Sequence, residues 1–320
     1  MIKPKKIYFA NVPTPLQVIN FNGNKFLIKR DDFTGVELSG NKIRKLEYLI
    51  YQAKKEKADY IFTTGGEQSN HARAAVIAAA QAGLKSKIFL WGKNSSNPEG
   101  NLFLDKIYGA DVVYLNKKEF AGVNEIMFEE RKNYFKKGKN VYVIPEGGST
   151  TLGIWGYIDV IDELKKQTDL KKIKGIVCAA GSGGTAAGLL AGLAFAGLDI
   201  KVYAVNVLYN KTVITNKILN LARGCVWDYK LPNEITEDNL VVLDGYSNEG
   251  YKKISSNKIN LIKKFANSTG ILLDPAYTGK AFYAYKENFL NKNLGTKYIF
   301  LHTGGLFGVF AKRKEYLELK

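Results

Sequence analysis

The segment 39–49 contains the lysine on which the functional interpretation depends. It reads Ser-Gly-Asn-Lys-Ile-Arg-Lys-Leu-Glu-Tyr-Leu, so a small, flexible pair precedes a helical pattern. Lys42 falls at the start of that helix, where the positive end of the helix dipole disfavours an ammonium group. Partial burial would lower its pKa in the same direction. A neutral amine is what an imine-forming lysine needs, although an ordinary surface position is the alternative in a lysine-rich chain.

A glycine-rich loop is the second candidate for chemistry. Its residues follow an apolar strand pattern and open a helical one; they are Gly181, Ser182, Gly183, Gly184 and Thr185. Backbone N–H groups of such a loop, together with the helix N-terminus, can bind a phosphate. The next strand pattern ends without a ribose-binding carboxylate, and no Gly-Lys-Ser/Thr ending is present. The loop therefore favours a monophosphate cofactor over a nucleotide, with a ligand-free helix start as the alternative.

A polar loop between the strand pattern 60–64 and an alanine-rich helix is the third candidate. It contains Ser69, Asn70 and His71, which offer a hydroxyl, an amide and a titrating ring, and its backbone N–H groups could hold a carboxylate. The chain has two histidines, and the second, His302, also follows a strand pattern. That placement favours a role in a site for both, with satisfied local hydrogen bonds as the alternative.

Two later turns supply further hydroxyl groups. Tyr277 and Thr278 lie in the turn Asp-Pro-Ala-Tyr-Thr-Gly-Lys at 274–280, and Thr303 follows the last strand pattern at 298–301. Ligands of open parallel sheets bind beyond the carboxyl ends of the strands. We therefore expect the loops 65–71, 181–188, 274–280 and 302–305 to line one cleft.

The composition is that of a globular protein whose charge does not indicate a nucleic-acid partner. The 320 residues carry 47 basic and 30 acidic side chains, a net charge of +17, but the lysines are scattered in pairs and no basic stripe with interleaved aromatics occurs. No apolar run is long enough to span a membrane, and no secretory signal is recognisable. Only two cysteines occur, Cys178 and Cys225, which gives no disulfide framework and no metal spacing. We expect a cytoplasmic protein without a metal, and a small anionic substrate.

Strand patterns alternate with helical patterns along the whole chain. Strands are predicted at 25–30, 60–64, 87–91, 112–115, 141–144, 175–180, 201–207 and 298–301. Helices are predicted near 42–53, 73–83, 102–108, 118–136, 152–167, 211–222 and 256–267, with one more that the 181–188 loop opens and that ends near 197, and another after 280. This alternation predicts an α/β fold made of two lobes, each with a parallel sheet.

Taken together, these segments resemble the tryptophan-synthase-β-like (fold type II) pyridoxal-phosphate enzymes, and in particular the group of D-cysteine desulfhydrase and 1-aminocyclopropane-1-carboxylate (ACC) deaminase. The matching motifs extend over nearly the whole chain and are Pro-Thr-Pro-Leu at 13–16, Lys-Arg-Asp-Asp at 29–32, Gly-Asn-Lys-Ile-Arg-Lys-Leu at 40–46, Gln-Ser-Asn-His at 68–71, the 181–188 loop, Leu-Asp-Pro-Ala-Tyr-Thr-Gly-Lys at 273–280 and His-Thr-Gly-Gly at 302–305. The resemblance implies a two-lobed, three-layer αβα fold with parallel twisted sheets and a homodimer. It places the large cofactor-binding domain at 1–53 plus 157–320 and the small domain at 54–156.

The resemblance also implies a role for each candidate residue. Lys42 would bind pyridoxal 5′-phosphate covalently and carry the proton. Asn70 would bond the ring oxygen of the cofactor, Thr303 would face its ring nitrogen, and the phosphate would be bound by Lys45 and the backbone of 181–185. Ser69, Asn70 and His71 would receive the substrate carboxylate. Tyr277 and Tyr251 would line the reacting side and act as catalytic groups together with Ser69, and Thr278 would bind the substrate.

Two positions help to choose between the two activities of this group. In the carboxylate loop the ACC deaminases look like Ser-Asn-Gln, whereas this chain has Ser-Asn-His at 69–71, which is similar to the desulfhydrase pattern. The second position is 278. The ACC deaminases are similar to one another in having Tyr-Glu-Gly in this turn, where a carboxylate could keep the cofactor's ring nitrogen protonated. A threonine hydroxyl cannot do so by charge, which suits β-elimination of a good leaving group. We therefore expect a lyase acting on D-cysteine, with ACC deamination or another β-substituted alanine as the alternatives. A binding protein without turnover and a dinucleotide-dependent oxidoreductase are less compatible with the motifs.

Overall fold

The computed structural model describes residues 3–250 and 253–318, which form two α/β lobes. In this part of the chain the strands are Leu16–Phe21 (β1), Asn24–Arg30 (β2), Tyr60–Gly66 (β3), Lys85–Trp91 (β4), Asp111–Leu115 (β5), Val141–Val143 (β6), Gly175–Ala180 (β7), Lys201–Asn206 (β8), Leu240–Leu243 (β9) and Tyr298–His302 (β10). The α-helices are Asn41–Lys55 (α1), Asn70–Gln81 (α2), Gly100–Ile107 (α3), Lys117–Ala121 (α4), Val123–Lys136 (α5), Trp155–Gln167 (α6), Gly184–Phe195 (α7), Lys211–Tyr229 (α8), Ser256–Thr269 (α9), Thr278–Asn288 (α10), Leu306–Phe310 (α11) and Arg313–Glu318 (α12).

The large lobe is built on a six-stranded sheet in the order β1-β2-β10-β7-β8-β9. β1 and β2 are antiparallel, and the other neighbouring pairs of this sheet are parallel. Helices α6, α7 and α8 pack on one face, and α9 and α10 pack on the other. Because both faces are covered, the central strands are apolar throughout, as parallel strands usually are. The predicted three-layer α/β architecture is confirmed.

The small lobe has a four-stranded parallel sheet in the order β5-β4-β3-β6. Successive residues of β3 face opposite sides: Ile61 joins the core under α1 and α2, and Phe62 joins the core under α5 with Phe89. The alternation follows from the two-residue period of a strand. This lobe is therefore also three-layered.

Helix α1 lies between the lobes. Its apolar stripe, Leu46, Leu49, Ile50 and Ala53, is buried in the core of the small lobe, whereas Tyr48 on another side packs in the large-lobe core. A domain boundary after residue 53 would separate this stripe from its core. We therefore propose that α1 be counted with the small lobe, so that the boundary precedes Asn41.

The carboxyl ends of the strands meet where the two lobes face each other. β7 and β10 are neighbours, so the glycine-rich loop at 181–185 lies beside Thr303. From the small lobe, the end of β3 supplies the loop before α2. The turn at 274–280 also reaches this region, but residues 271–273 form no strand, contrary to the expectation that each loop follows one.

The remaining differences from the prediction concern short or interrupted elements. The helix predicted at 118–136 is broken at Gly122 into α4 and α5. The short strand β9 and the C-terminal helices α11 and α12 were not predicted. Tyr251 lies outside the described residues. No helix in the described part of the chain is long and apolar enough to cross a membrane.

A buried ionic cluster fixes α1 to the large lobe. Arg44 Nη2 lies 2.8 Å from Asp31 Oδ1, and Arg44 Nη1 lies 2.6 Å from Glu163 Oε1 on α6. The hydroxyl of Tyr157 donates to Asp31 at 2.6 Å, and Lys29 pairs with Glu163 at 2.9 Å. Asp31 and Arg44 are almost completely buried. Removing one member would leave an uncompensated charge in the core, which is more costly than losing a surface pair.

Replacing Asp31 by Asn is therefore expected to lower the free energy of unfolding by about 3–5 kcal/mol. The matched control is Asp162→Asn, which removes an exposed carboxylate 3.6 Å from Lys165. This substitution should change the free energy of unfolding by less than about 0.5 kcal/mol. Urea denaturation followed by circular dichroism measures both. Equal effects of the two substitutions would contradict this role of the cluster.

The same cluster predicts the direction of acid sensitivity. Burial alone would raise the pKa of Asp31, but the charge and hydrogen bonds of Arg44 and the hydroxyl of Tyr157 outweigh it and lower the pKa. A carboxyl with a lowered folded-state pKa contributes stability above its unfolded pKa and loses it as the pH falls through the folded value. The stability gap between the parent chain and Asp31→Asn should therefore be present at neutral pH and shrink on acidification below about pH 4. A gap that stayed constant in acid would contradict this.

Candidate active site

A cavity of about 330 Å³ lies between the two lobes. It brings together most of the predicted site residues, which are Lys42, Lys45, Ser69, Asn70, His71, Gly181, Ser182, Gly183, Gly184, Thr185, Tyr277 and Thr303. These residues come from segments far apart in sequence and from both lobes. The expectation that the polar loops line one cleft is confirmed for these positions.

Lys42 occupies the second position of α1, where its surroundings favour the neutral form of its amine. The helix starts after Gly40, whose φ of +89° suits glycine and whose position leaves no room for a side chain, since a Cβ there would lie 2.8 Å from the carbonyl oxygen of Thr303. Burial lowers the pKa of Lys42 to about 8, although the carboxylates of Asp274 and Glu146 act in the opposite direction. The lysine therefore has the lowered pKa that its sequence position predicts.

Lys45, one turn further along α1, lies deeper and has no carboxylate partner among the described residues. It is 1% exposed, and its ammonium donates to the carbonyl oxygen of Gly147 and approaches the hydroxyl of Ser149 at 3.5 Å. Burial, and then the neighbouring charge of Lys42, lower the pKa of Lys45 well below its usual value. An anion bound beside this amine would offset both effects.

The glycine-rich loop closes around the amine of Lys45. A Cβ on Gly184 would strike the hydroxyl of Ser149 and would lie 3.1 Å from Lys45 Nζ. Gly183 has a φ of +87°, in the left-handed region, and caps the N-terminus of α7. Ser182 bonds Ser149 across the lobes at 2.9 Å. Glycine at 183 and 184 therefore leaves space, backbone N–H groups and a helix N-terminus next to a cation, which is an anion site.

Hydrogen bonds from Asn41 tie the start of α1 to two strand ends of the large lobe. Its side-chain nitrogen donates to the Thr185 hydroxyl at 2.9 Å, and its backbone N–H donates to the Thr303 carbonyl at 3.1 Å. Lys42 in turn donates to the Asn41 side-chain oxygen at 2.9 Å. Asn41 thus fixes the amine of Lys42 relative to the anion site, a role that the sequence did not indicate.

The N-terminus of α2 faces the cleft from the small lobe. Ser69 caps the helix by accepting the N–H of Ala72 at 3.2 Å, and the first backbone N–H groups of a helix have no partner within it. Asn70 accepts a hydrogen bond from Asn101 at 2.9 Å through its side-chain oxygen, so its own amide donors point elsewhere. This helix end can bind a carboxylate through its N–H groups and dipole.

The ring of His71 is placed differently from the expectation that it receives a carboxylate. The Thr63 hydroxyl donates to the Ile144 carbonyl at 2.7 Å, so it accepts from His71 Nε2, which lies 2.9 Å away. The buried Nδ1 is then a bare acceptor without a hydrogen-bond partner in the described chain. Burial, followed by the charges of Lys45 and Lys42, lowers the pKa of His71 well below its usual value. The ring is therefore neutral, and the backbone N–H of His71 near the start of α2 is the group that we expect to receive a carboxylate.

Two further expectations are corrected by the structure. Thr278 is fully buried, and its hydroxyl bonds the side chain and the backbone N–H of Asp274 at 2.7 Å each, so it does not line the cleft. His302 bonds the Leu272 carbonyl and the N–H of Gly304 through its two ring nitrogens, which is a structural role. Both side chains bond residues in or next to the turn 274–280, which contains Tyr277.

Tyr277 itself is in position for a role in the site. The amine of Lys42 lies 5.6 Å from the centre of its ring, and a Cβ on Gly181 would lie 3.1 Å from that ring. The ring therefore packs against the glycine loop beside the amine. This arrangement is the one predicted for a residue that covers the reacting side.

The opposite wall of the cavity contains residues that no sequence motif singled out. Trp91 and Phe120 form an aromatic pair with ring centres 6.3 Å apart, and Lys117 lies beside them. The hydroxyl of Tyr209 from the large lobe donates to Glu146 of the small lobe at 2.9 Å. Trp91 ends β4, and the others lie in loops and short helices; their meeting at the cleft follows only from the assembled fold. In the described residues there is no group of His, Cys, Asp and Glu that could hold a metal ion.

Comparison with known proteins agrees with this geometry. The family model described as pyridoxal-phosphate dependent enzyme matches residues 7–304. A Thermotoga maritima protein with the provisional name 1-aminocyclopropane-1-carboxylate deaminase is 42% identical over 94% of this chain and 96% of its own. An Arabidopsis thaliana protein named bifunctional D-cysteine desulfhydrase/1-aminocyclopropane-1-carboxylate deaminase, mitochondrial, is 38% identical over 97% of this chain and 80% of its own.

Solved structures give the same result for the fold. A crystal structure described as an ACC deaminase homologue superimposes with a TM-score of 0.91 at 36% identity, covering 99% of this chain and 97% of the other. A hydrogen sulfide-producing enzyme from Fusobacterium nucleatum, at 20% identity and a TM-score of 0.64, covers 93% of this chain and 96% of its own and shares the fold. The chain belongs to the pyridoxal-phosphate dependent enzymes, and within them to the group of the ACC deaminases and D-cysteine desulfhydrases.

The cleft is suited to this cofactor. The cofactor has an aldehyde and a phosphate, and the cleft has an amine with a pKa of about 8 at Lys42 and an anion site at Lys45 and the glycine loop. The anion site also explains why a lysine without a carboxylate partner is retained in the interior, where an unpaired cation is costly.

We expect Lys42→Ala to lack the visible absorbance of the lysine-linked cofactor and to show no turnover, because no other cleft amine replaces the covalent link. Absorbance of the protein after dialysis against pyridoxal phosphate measures this. Lys55→Ala, which removes an exposed lysine at the far end of the same helix, should keep both properties. A fully active, coloured Lys42→Ala protein would refute the assignment.

The lowered pKa of Lys42 predicts how fast the cofactor attaches at each pH. The neutral amine reacts, and its fraction rises with pH until the pH exceeds the pKa. Covalent attachment of pyridoxal phosphate to the cofactor-free protein should therefore accelerate up to about pH 8 and then level off. Stopped-flow absorbance records the rate. A rate that keeps rising to about pH 10, as for an ordinary lysine, would contradict the buried, neutral amine.

Proposed function

We propose that the protein eliminates hydrogen sulfide from D-cysteine, giving pyruvate and ammonia. The family and the cofactor are shown by the comparisons, and the choice of substrate rests on Thr303, which is expected to face the ring nitrogen of the cofactor. Thr303 lines the cleft at the end of β10 and presents a hydroxyl and not a carboxylate. Thr278 lies outside the cleft with its hydroxyl bonded to Asp274, so it places no charge on the cofactor. A neutral residue beside the ring nitrogen favours a reaction with a good leaving group.

Each cleft residue has a proposed role in this reaction. The helix dipole and the first N–H groups of α2 bind the substrate carboxylate, and the Asn70 amide donates to the ring oxygen of the cofactor. The phosphate is bound by Lys45 and the N–H groups of 181–185. Thr303 faces the ring nitrogen, and the ring of Tyr277 shields the amine of Lys42 from solvent.

Once the amine of the substrate has replaced it in the covalent link, Lys42 would be free to act as the base. When bound, the cofactor stores the electron pair released as the α-proton leaves. A neutral lysine amine can accept that proton, and a pKa of about 8 keeps part of the population neutral near physiological pH. The C–S bond breaks with hydrosulfide as the leaving group, and the released aminoacrylate hydrolyses to pyruvate and ammonia. This hydrolysis consumes one water, so the atoms of the overall reaction balance.

ACC deamination is the second candidate, and the names of the relatives favour it. ACC has no α-hydrogen, so the cyclopropane ring must be opened by another route, in which Ser69 or Tyr277 would act on the ring carbons. The Ser69 hydroxyl accepts the N–H of Ala72 and keeps its own proton to donate. The expected homodimer and cytoplasmic location stay predictions.

A product assay distinguishes these candidates. We expect equal amounts of sulfide, pyruvate and ammonia from D-cysteine, and 2-oxobutyrate from ACC at a rate at least about tenfold lower, equivalent to about 1.4 kcal/mol of barrier. L-cysteine serves as the stereochemical control, and Lys42→Ala as the blank. Production of 2-oxobutyrate without sulfide would replace the proposal by ACC deamination, and no product from either would refute both.

A further inference from the structure

Asn70 is oriented by hydrogen bonds that begin at a buried arginine behind the cleft wall. Arg73, one turn further along α2, is 1% exposed, and its Nε donates to Oδ1 of Asn101 at 2.9 Å. The amide nitrogen of Asn101 donates in turn to Oδ1 of Asn70 at 2.9 Å and to the carbonyl of Gln68 at 3.1 Å. Asn101 is fully buried near the start of α3. A continuous chain of bonds therefore leads from a fixed cation to the amide that faces the cleft.

The chemistry of these groups permits only one direction of donation. A guanidinium has donors and no acceptor, so Asn101 must turn its oxygen towards Arg73. Its NH₂ group then faces the Gln68 carbonyl and Asn70, and Asn70 must present its own oxygen to receive it. The two N–H donors of Asn70 are left for the cleft. The guanidinium of Arg73 therefore determines that Asn70 presents its N–H donors, and not its oxygen, to the cleft.

The same guanidinium also holds the segment that leads into α1. Its two terminal nitrogens donate to the carbonyl of Glu37 and, at 3.0 Å, to the carbonyl of Ser39. Phe307 covers the guanidinium, with its ring centre 4.9 Å away. Ser39 directly precedes the glycine at which α1 begins, so one side chain fixes both the amide at 70 and the approach to Lys42.

We propose that Arg73 and Asn101 are positioning residues that set the donor direction of the Asn70 amide towards the cofactor's ring oxygen and thereby stabilise the bound cofactor. The inference rests on the proposed role of Asn70. It does not depend on whether D-cysteine or ACC is the substrate, because its consequences are visible in the cofactor itself.

Asn101→Asp tests the direction of donation with almost no change of shape. A carboxylate at this position can still accept from Arg73 but cannot donate to Asn70, so the Asn70 amide should turn its oxygen to the cleft. We expect the cofactor dissociation constant, measured by fluorescence titration of the cofactor-free protein, to rise roughly ten- to a hundredfold. The pH at which the visible band of the bound cofactor titrates should move upward, because the ring oxygen loses a donor to its ionised form.

Two further variants make the result specific. Asn101→Leu removes the donor without adding a charge and should have the same direction of effect, which keeps the test valid if the carboxylate impairs folding. Asn288→Asp is the matched control, since Asn288 donates to the Tyr246 hydroxyl and the Ala284 carbonyl in α10, outside the cleft. It should leave both the dissociation constant and the visible band unchanged.

A double-mutant cycle with Asn70→Ala decides whether Asn101 acts through Asn70. If it does, the double variant Asn70→Ala/Asn101→Asp should have about the same cofactor dissociation constant as Asn70→Ala alone. The dissociation constant should not rise by the product of the two single effects. The inference would be overturned if the effects of the two substitutions on the dissociation constant multiplied in the double variant. It would also be overturned if the visible band titrated normally in Asn101→Asp and Asn101→Leu, and either result would leave the proposed function intact. A normal band in Asn70→Ala would overturn the role of Asn70, and this inference with it.

Discussion

The burial of two lysine amines, one turn apart at the start of one helix, is the constraint on which the rest of the site depends. Burial lowers the pKa of both Lys42 and Lys45, and the charge of Lys42 lowers the pKa of Lys45 further. Lys45 is held by a carbonyl and approaches a hydroxyl instead of pairing with a carboxylate. Such an arrangement costs stability in the empty protein and becomes favourable when an anion arrives.

The surrounding structure holds this helix from both sides. The ionic cluster of Arg44 with Asp31 and Glu163 fixes it to the large lobe, and its apolar stripe packs in the small lobe. Asn41 connects its first turn to the end of β10 and to the start of α7. Helix α1 therefore fixes the position of the Lys42 amine relative to the glycine-rich loop, and it connects the two lobes.

The sequence predicted most of this where the signal is local. Strand and helix alternation, the glycine run at 181–184 and the position of Lys42 at a helix start all follow from periodicity, backbone freedom and the helix dipole. The misassigned side chains, Thr278 and His302, share a different cause. Each lies on the expected turn, but its direction is set by a partner that strand and helix periodicity does not identify. Thr278 turns back to Asp274 at the start of its own turn, and His302 bonds Leu272, which is 30 residues away. Asn41, Ser149 and Glu146 were missed for the same reason.

The central claim is that Lys42, and not its more deeply buried neighbour Lys45, forms the covalent link to the cofactor. Borohydride reduction of the cofactor-loaded protein makes that link permanent, and mass spectrometry of its proteolytic peptides then locates it. The account predicts the pyridoxyl phosphate group on Lys42 alone. Finding it on Lys45, or on a lysine outside the cleft, would contradict the account.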